Sequence, residues 1–443
     1  MARPGTMINS FDASRLGDLD PALRRIVERR TKVLGPGYRL FYERPVEIVR
    51  GEGVLLYDAA GNEFLDAYNN VPCVGHANPD VTKAIARQAA TLNTHTRYAA
   101  EPIVSYAERL LATHASELTN VTFACTGSEA IDFALRVARY HTGGAGVVVT
   151  DNAYHGVTAA AAEISPSLGP NVPLGVHVRS VPAPDVTLGD AFMVGSAFAK
   201  SVRDAIADLD RHGIRFAALV VDSLFSTDGI LADPAGFLAA GVDATHQAGG
   251  LYIADEVQSG FGRTGDAMWG YQRHGVVPDL VAMGKPMGNG MPIAAVAARP
   301  EVIAEFGPAV RYFNTFGGNS VSIAAATAVL DVIERDGLVE HAAAVGRYLR
   351  EGIQTLRASH PHLGDVRGAG LYIGTDIVDP ATGLPDASAA SCVVNGLRDR
   401  RVLISATGPD ANVLKIRPPL PFDQSHADRF LTALAAVLAE IPA

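Results

Sequence analysis

The sequence has 443 residues, of which 48% are hydrophobic and 19% charged, so it is long enough for two or three domains with a large core. Its net charge of −10 and the lack of a basic cluster argue against nucleic acid or a membrane as a partner, and no apolar run is long enough to cross a bilayer. Three distant cysteines (Cys73, Cys125, Cys392) predict neither disulfides nor a metal site. With a charged N-terminus that lacks the pattern of a signal peptide, they lead us to expect a cytoplasmic protein.

The chain begins with a polar arm. Residues 22–33 have the pattern of a short amphipathic helix, and residues 47–57 and 62–66 flank a turn at Gly61, which predicts a β-hairpin. The polar loop at residues 68–76 suits contact with a ligand, although a purely structural loop would have the same composition.

The middle of the chain predicts a mainly parallel sheet covered by helices. After a helical pattern at residues 81–92, apolar runs alternate with helices, and the predicted strands lie at residues 121–124, 147–151, 217–222, 251–255 and 280–283. An Ala-rich helix follows at residues 322–333. A second unit is then predicted, with strands at residues 371–377 and 413–416 and helices at residues 389–401 and 427–441.

Polar residues stand at the carboxyl ends of the central strands, where ligands bind in open α/β sheets. After the first strand, Gly127 and Ser128 open a helix whose free N–H groups, hydroxyl and dipole suit a phosphate, although Ser128 and Glu129 could simply begin the helix. After the second strand come Tyr154 and His155. The tyrosine could lay its ring over a planar ligand or could only be packed.

Two further strand ends carry an acid and an amine. Asp255 ends an apolar run and is expected to be buried, which requires a cation or strong donors beside it. Lys285 follows the next apolar run, in a turn rich in Gly, Asn and Pro. An amine beside apolar neighbours can lose its charge and attack a carbonyl; the alternative is a solvated lysine in a surface turn.

The sheet therefore combines an amine, a buried carboxylate, an aromatic face and a phosphate cradle at neighbouring strand ends. These are the requirements of pyridoxal 5′-phosphate: a lysine for its aldehyde, a partner for its pyridinium nitrogen, a ring stack and a phosphate anchor. The combination predicts this cofactor.

Five segments extend the pattern: Thr126-Gly127-Ser128-Glu129-Ala130, Tyr154-His155-Gly156, Ala254-Asp255-Glu256-Val257-Gln258, Gly284-Lys285 and Asn314-Thr315-Phe316-Gly317-Gly318-Asn319. In them the chain resembles the fold type I pyridoxal-phosphate enzymes, specifically the class III (omega) aminotransferases, over nearly all its length beyond about residue 40. The resemblance implies an α/β fold with a mainly parallel seven-stranded sheet and a smaller α+β domain formed by both chain ends. We expect the arm and part of the small domain at residues 1–75, the large domain at residues 76–335, and the C-terminal small domain at residues 336–443.

The resemblance also implies roles for individual residues. Lys285 binds the cofactor covalently, and Asp255 pairs with its pyridinium nitrogen. The other expected cofactor residues are Gly127 and Ser128 at the phosphate, Tyr154 and Val257 on the two ring faces, Gln258 at the 3-hydroxyl, and also His155 and Asp222. Thr315 is expected to reach the phosphate from a neighbouring subunit, which implies a homodimer with shared active sites; a tetramer of such chains is compatible with this.

One segment departs from the common pattern. Many class III aminotransferases carry Glu-Pro after the middle sheet strand and a second Glu five residues after the first, paired with a C-terminal arginine that can turn to a substrate carboxylate. Here Asp222 takes the first place and Thr227 the second, while Lys415 takes the place of the arginine and Arg417 adds a cation. Two cations without that glutamate suit a phosphate better than an α-carboxylate, unless both are solvated strand residues.

Longer segments narrow the resemblance: Tyr68-Asn69-Asn70-Val71, Leu92-Asn93-Thr94, Glu163-Ile164-Ser165-Pro166, residues 283–290 and Asn412-Val413-Leu414-Lys415-Ile416. They are similar to a branch of phospho-lyases that act on ethanolamine phosphate or phosphohydroxylysine, first grouped with alanine–glyoxylate aminotransferases. The implied reaction eliminates phosphate from a small phosphorylated amine, O-phosphoethanolamine, to give acetaldehyde, ammonia and inorganic phosphate, with Lys285 as general base. The candidates for holding the substrate phosphate are Asn70, Arg97, Lys415 and Arg417. The alternative is an omega-aminotransferase that passes the amino group to a keto acid.

Overall fold

The computed structural model describes residues 7–441, which form three sheets flanked by helices. Residues 1–6 and 442–443, the outer ends of the predicted arm and C-terminal domain, lie outside the described residues. The helices are α1 (Pro21–Leu34), α2 (Pro79–Ala89), α3 (Glu101–Ala112), α4 (Gly127–Thr142), α5 (Ala159–Glu163), α6 (Ala191–Arg211), α7 (Ala239–Gln247), α8 (Pro300–Ile303), α9 (Phe306–Ala309), α10 (Ser320–Arg335), α11 (Leu338–Arg357), α12 (Ala387–Asp399) and α13 (Gln424–Leu438). The strands are β1 (Ile48–Glu52), β2 (Leu55–Asp58), β3 (Glu63–Asp66), β4 (Asn120–Ala124), β5 (Gly146–Thr150), β6 (Val178–Val181), β7 (Phe216–Asp222), β8 (Leu251–Asp255), β9 (Leu280–Met283), β10 (Ala294–Ala298), β11 (Leu363–Ala369), β12 (Tyr372–Ile377), β13 (Val402–Leu403), β14 (Ser405–Thr407) and β15 (Val413–Ile416).

The central sheet has seven strands in the order β4-β10-β9-β8-β7-β5-β6. Strand β10 pairs antiparallel with both of its neighbours, and the pairs from β9 to β6 are parallel. Its inner strands are continuous buried apolar runs, as expected where helices cover both faces of a sheet. The predicted α/β fold with a mainly parallel seven-stranded sheet is confirmed.

Two smaller sheets complete the fold, and one of them pairs strands from both chain ends. In one, of order β1-β2-β3-β13, the C-terminal strand β13 pairs parallel with β3. The other, of order β11-β12-β15-β14, is antiparallel and carries the C-terminal strand β15 in its interior. A smaller α+β part built from both chain ends was predicted and is confirmed, whereas the domain boundaries after residues 75 and 335 stay a prediction.

Some elements differ from the prediction. Residues 47–57, predicted as one arm of a hairpin, form two strands that separate at Gly53, whose φ of +57° interrupts the extended backbone. Strands β6 and β10 of the central sheet were not predicted. Strand β10 reads Ala-Ala-Val-Ala-Ala, a composition that favours a helix, and pairing on both edges overrides that preference.

Most of the candidate residues lie where strands of the central sheet end, on the side of their carboxyl ends. Helix α4 begins at Gly127 directly after β4, and β8 ends at Asp255. Strand β5 ends at Thr150 and leads into the loop of Tyr154, while β9 runs into the turn that begins at Lys285. Separately, no helix within residues 7–441 is both long and apolar enough to cross a membrane.

Candidate active site

A narrow cavity opens at the carboxyl ends of the central strands. It is lined by Gly127, Ser128, Tyr154, His155, Gly156, Asp255, Val257, Gln258 and Lys285. All of the predicted cofactor residues except Asp222 and Thr315 therefore meet in one place.

The start of helix α4 forms one end of this cavity. Thr126 caps the helix: its hydroxyl accepts from the Glu129 N–H at 3.2 Å, and the Glu129 carboxylate accepts from the Thr126 N–H at 3.1 Å. This reciprocal cap uses Glu129, in agreement with the alternative that this residue serves to begin the helix, and it does not use Gly127 or Ser128. Their N–H groups lie in the first turn, where backbone donors lack partners within the helix and the helix dipole favours an anion.

The loop after β5 approaches this helix start very closely. The Ser128 hydroxyl accepts from the Val157 N–H at 3.1 Å. At Gly156, where φ is +142°, a Cβ would lie 2.4 Å from Ser128 Oγ, so only glycine allows the approach. Tyr154, two residues earlier, lines the cavity, and burial together with the nearby Asp255 charge raises the pKa of its phenol.

Asp255 is held by His155 at the floor of the cavity. The residue is 5% exposed, and its Oδ2 lies 2.8 Å from His155 Nδ1. The Val257 N–H donates to Oδ1 at 3.1 Å. The sequence predicted that Asp255 would be buried and would need strong donors, and both predictions are confirmed. The structure assigns part of that task to the histidine, a partner that the sequence did not reveal.

Lys285 begins a single 3-10 turn, Lys285–Gly288, directly after β9. Its φ of +27° is uncommon for a residue with a side chain, and such backbone persists only where the surroundings hold it. Burial, and secondarily the charge of Arg417, lowers the pKa of the Lys285 amine, while two carboxylates of the site oppose the shift. Lys285 is partly buried and lines the cavity, so it is not a residue of a solvated surface turn, and part of its population is neutral at lower pH than for a free lysine.

Lys415 and Arg417 form a second feature beside the cavity. They lie two residues apart on β15 and just past its end, so their side chains share a face. They are only 6% and 5% exposed, and both donate to Gln258 Oε1, Lys415 Nζ from 3.2 Å. Among residues 7–441, no carboxylate forms an ion pair with either cation. Burial and the neighbouring guanidinium lower the pKa of Lys415 well below its usual value. The alternative that both are solvated strand residues is wrong.

Three further residues of the prediction have these surroundings. Asp222 is partly buried and accepts from the backbone N–H groups of Leu224 and Ser226, at 2.9 and 3.3 Å. Burial and the Asp255 charge raise its pKa. Thr227 contributes no charge, and its carbonyl accepts from the side chain of Asn152. Asn70 is 1% exposed, and its Nδ2 donates to the carbonyl of Gln258 at 3.4 Å.

Two predicted residues, Thr315 and Arg97, lie on the surface of this chain. Thr315 is exposed, and its predicted contribution to the active site of a neighbouring subunit stays a prediction. Arg97 is also exposed, and its guanidinium lies 3.7 Å from the centre of the Phe313 ring rather than beside the buried cations. Its predicted contact with the substrate phosphate therefore gains no support from this chain.

Sequence reasoning missed two residues near the site. The Tyr372 hydroxyl donates to Gln258 Oε1 at 3.2 Å, and no local pattern in the sequence indicated this contact. Asp228 accepts from the Thr150 hydroxyl at 2.8 Å and from the Asn152 N–H at 3.2 Å, which ties the end of β5 to the loop of Tyr154. Burial raises the pKa of Asp228 to about 6. Asp228 follows Thr227 in the segment that departs from the common pattern, and this position could have indicated that it lies near the site.

The model of the aminotransferase class-III family matches residues 41–438. The chain belongs to this family. Class III enzymes of this kind depend on pyridoxal phosphate. The donor set described above fits that group: Gly127 and Ser128 would hold its phosphate, Asp255 its ring nitrogen, Tyr154 and Val257 its ring faces, and Lys285 its aldehyde carbon. No cluster of three or more His, Cys, Asp or Glu side chains in the described part of the chain is placed to hold a metal ion.

Individual relatives cover nearly all of this class III chain. A Drosophila melanogaster protein named "Alanine--glyoxylate aminotransferase 2-like" is 40% identical over 432 residues, which span 94% of this chain and 87% of the fly protein. The Caenorhabditis elegans "Ethanolamine-phosphate phospho-lyase homolog 1" is 36% identical and is covered to 93%, as is this chain. A solved structure of an Arthrobacter phospholyase in complex with phosphoethanolamine superposes with a TM-score of 0.91 at 45% identity, covering 94% of this chain and all of that one.

Proposed function

We propose that this protein is a phospho-lyase that converts O-phosphoethanolamine and water to acetaldehyde, ammonia and inorganic phosphate. The observation that carries the proposal is the pair of buried cations, Lys415 and Arg417, beside the cavity and without a carboxylate partner among the described residues. Asp222 attracts Lys415 electrostatically but forms no ion pair with it, and a dianionic phosphate between the two cations would offset their buried charge more fully than a carboxylate does.

Two further findings support this substrate class. Thr227 occupies the place where a glutamate would pair with the C-terminal cation, so nothing at that position competes with a phosphate for Lys415. The Arthrobacter enzyme, with 45% identity, was solved with phosphoethanolamine, and the C. elegans relative carries a phospho-lyase name. The C. elegans and Arthrobacter names agree with the chemistry that the two cations favour.

The residues of this chain divide the reaction between them. Lys285, made less basic by burial, removes the proton from the carbon that bears nitrogen. Asp255, oriented by His155, stabilises positive charge at the floor of the cavity. Pyridoxal phosphate, when bound, supplies the electron sink for the pair that this proton leaves behind. Lys415 and Arg417 hold the phosphate on the adjacent carbon and stabilise its negative charge as the C–O bond breaks, and Asn70, which is bonded to the Gln258 carbonyl, assists them.

The proposal includes an assembly and a location. Thr315 of the partner subunit would complete the cofactor phosphate site in a cytoplasmic homodimer. The exposure of Thr315 and of its neighbour Phe316, 70% exposed in the single chain, is compatible with a covering subunit.

An omega-aminotransferase is the second candidate. It is supported by the family itself and by the aminotransferase name of the D. melanogaster relative. The first step is the same in both reactions, since Lys285 removes the same proton. Elimination follows where a good leaving group sits on the next carbon, and amino-group transfer follows where none does.

The two candidate reactions differ in their need for a keto acid and in their products. A phospho-lyase supplied with O-phosphoethanolamine and no keto acid should release phosphate over many turnovers. An aminotransferase should release none and should instead transfer an amino group from an ω-amine to pyruvate. Lys285→Ala serves as the control for both reactions, since it removes the base that they share.

A further inference from the structure

The carboxamide oxygen of Gln258 is the meeting point of three donors. Lys415 Nζ and the Tyr372 hydroxyl each lie 3.2 Å from Oε1, and an Arg417 guanidinium nitrogen is also bonded to it. Lysine and arginine side chains only donate, so the contacts fix the orientation of the carboxamide, with oxygen toward the cations and nitrogen away from them.

Gln258 also lines the cofactor cavity, together with Lys285 and Asp255. Its side chain is buried, at 8% exposure for the residue. It therefore separates two groups of residues: the cations on one side and the residues that would hold the cofactor on the other. A change in the position of this carboxamide alters both sides at once.

A neutral oxygen compensates two buried cations only in part. An amide oxygen has two lone pairs, and here three donors share them. A phosphate offers three free oxygens and a double negative charge, so it forms ion pairs with Lys and Arg where the amide oxygen offers only a dipole. Phosphate should therefore replace the carboxamide as the ligand of both cations.

We propose that the Gln258 carboxamide occupies the position of the substrate phosphate between Lys415 and Arg417. An entering phosphate displaces the carboxamide from both cations, so phosphate binding changes the surroundings of the cofactor. The inference rests on the proposed function, because it assumes that a phosphate occupies this position. Gln258 is in this account a positioning residue: it does not react, and it links phosphate binding to the surroundings of the cofactor.

The test uses the enzyme loaded with pyridoxal phosphate and inorganic phosphate as the probe, with no amine present. Phosphate is titrated at constant ionic strength, its affinity is measured by calorimetry, and the visible absorbance of the bound cofactor is recorded at each step. The wild type is compared with Gln258→Leu, which removes the competing oxygen, and with Gln258→Glu, which replaces it by a full charge. Tyr372→Phe, which removes a single donor from the same oxygen, keeps the test decisive if a Gln258 variant fails to fold.

The expected order of phosphate affinity is Leu above Gln above Glu at position 258, with steps of about tenfold, the effect of one hydrogen bond to a charged group. Tyr372→Phe should bind phosphate somewhat more tightly than the wild type. In the wild type, the cofactor spectrum should change with the same half-saturation as the calorimetric signal, and in Gln258→Leu the spectrum should not respond to bound phosphate.

Equal phosphate affinity in all the variants, or a wild-type spectrum that is unchanged at saturating phosphate, would overturn the inference. Phosphate release from O-phosphoethanolamine by the same wild-type preparation separates the two proposals. If release occurs and the affinity order fails, only the role of Gln258 is wrong. If release does not occur, the proposed function itself is wrong.

Discussion

His155 Nδ1 lies 2.8 Å from Asp255 Oδ2 in the buried floor of the cavity, and the contact joins the loop after β5 to the end of β8. The histidine side chain is only 1% exposed and that of the aspartate 7%, so bulk solvent screens the pair little. The bond fixes the direction in which the carboxylate faces the cavity. A carboxylate held in this way can stabilise a positive charge without reorganising when that charge develops.

Loss of the histidine donor should therefore weaken both catalysis and cofactor binding. In His155→Phe a phenyl ring replaces the imidazole and one hydrogen bond to a buried carboxylate is lost. This loss should lower the rate of phosphate release roughly 10- to 100-fold. The rate is measured together with the cofactor retained after dialysis. Asp255→Ala should lose more of both, because it removes the charge itself. Wild-type values in His155→Phe would contradict this account of the pair.

We expect the buried cations to lower the free energy of unfolding while they favour binding of the substrate phosphate. Lys415→Met replaces an amine that lacks a carboxylate partner among residues 7–441 by an apolar side chain of similar length, and we expect it to raise the free energy of unfolding by about 1–3 kcal/mol in the absence of phosphate. Phosphate release should fall, mainly through a higher KM for O-phosphoethanolamine. Urea denaturation and steady-state kinetics measure the two effects. Lys83→Met, at an exposed position, is the matched control and should change neither. A less stable Lys415→Met would contradict the expectation.

Asp228 should make stability depend on pH. Its folded pKa of about 6 exceeds the ordinary 3.8, so the folded state binds the proton more tightly and the wild type loses stability as pH rises through this window. Asp228→Asn has no such group, so its stability relative to the wild type should rise by about 1 kcal/mol between about pH 5 and about pH 8. Urea denaturation at both pH values tests this. Asp210→Asn, at an exposed position, controls for the loss of one charge. An Asp228→Asn difference that does not vary with pH would show that the carboxyl titrates alike in both states.

The proposed sharing of active sites predicts complementation between two inactive variants. Thr315→Glu should repel a phosphate in the partner's site, and Lys285→Ala removes the base from its own site. A mixed dimer would contain one site with an intact lysine and an intact threonine, so activity should return when the two variants are refolded or expressed together. Size-exclusion chromatography establishes the assembly in parallel. Absence of any recovery in a confirmed mixed dimer would place Thr315 outside the shared site.

The sequence indicated the strand ends well, because each buried parallel strand is a continuous apolar run followed by a polar residue. Asp255 and the turn at Lys285 were found in this way, and β8 and β9 have the predicted bounds. The Ala-rich strand β10 was missed, since its composition favours a helix and only its two neighbours make it a strand. A local pattern shows which secondary structure a segment prefers, whereas pairing with neighbouring strands can override that preference.

Contacts between distant residues were harder to predict. The pair His155 and Asp255 is separated by 100 positions, and Gln258 by 157 from Lys415, so no local pattern could indicate either contact. The sequence left open whether Lys415 and Arg417 were solvated. Their burial follows from the interior position of β15 in its sheet, a property of the tertiary fold.

The most direct measurement is the stoichiometry of the reaction with O-phosphoethanolamine as the sole substrate. The loaded enzyme is incubated without a keto acid, and inorganic phosphate and acetaldehyde are assayed over time beside Lys285→Ala. The account predicts equal amounts of the two products, far in excess of the enzyme, and none from the variant. Release of no phosphate by an enzyme that transfers an amino group from an ω-amine to pyruvate would contradict it.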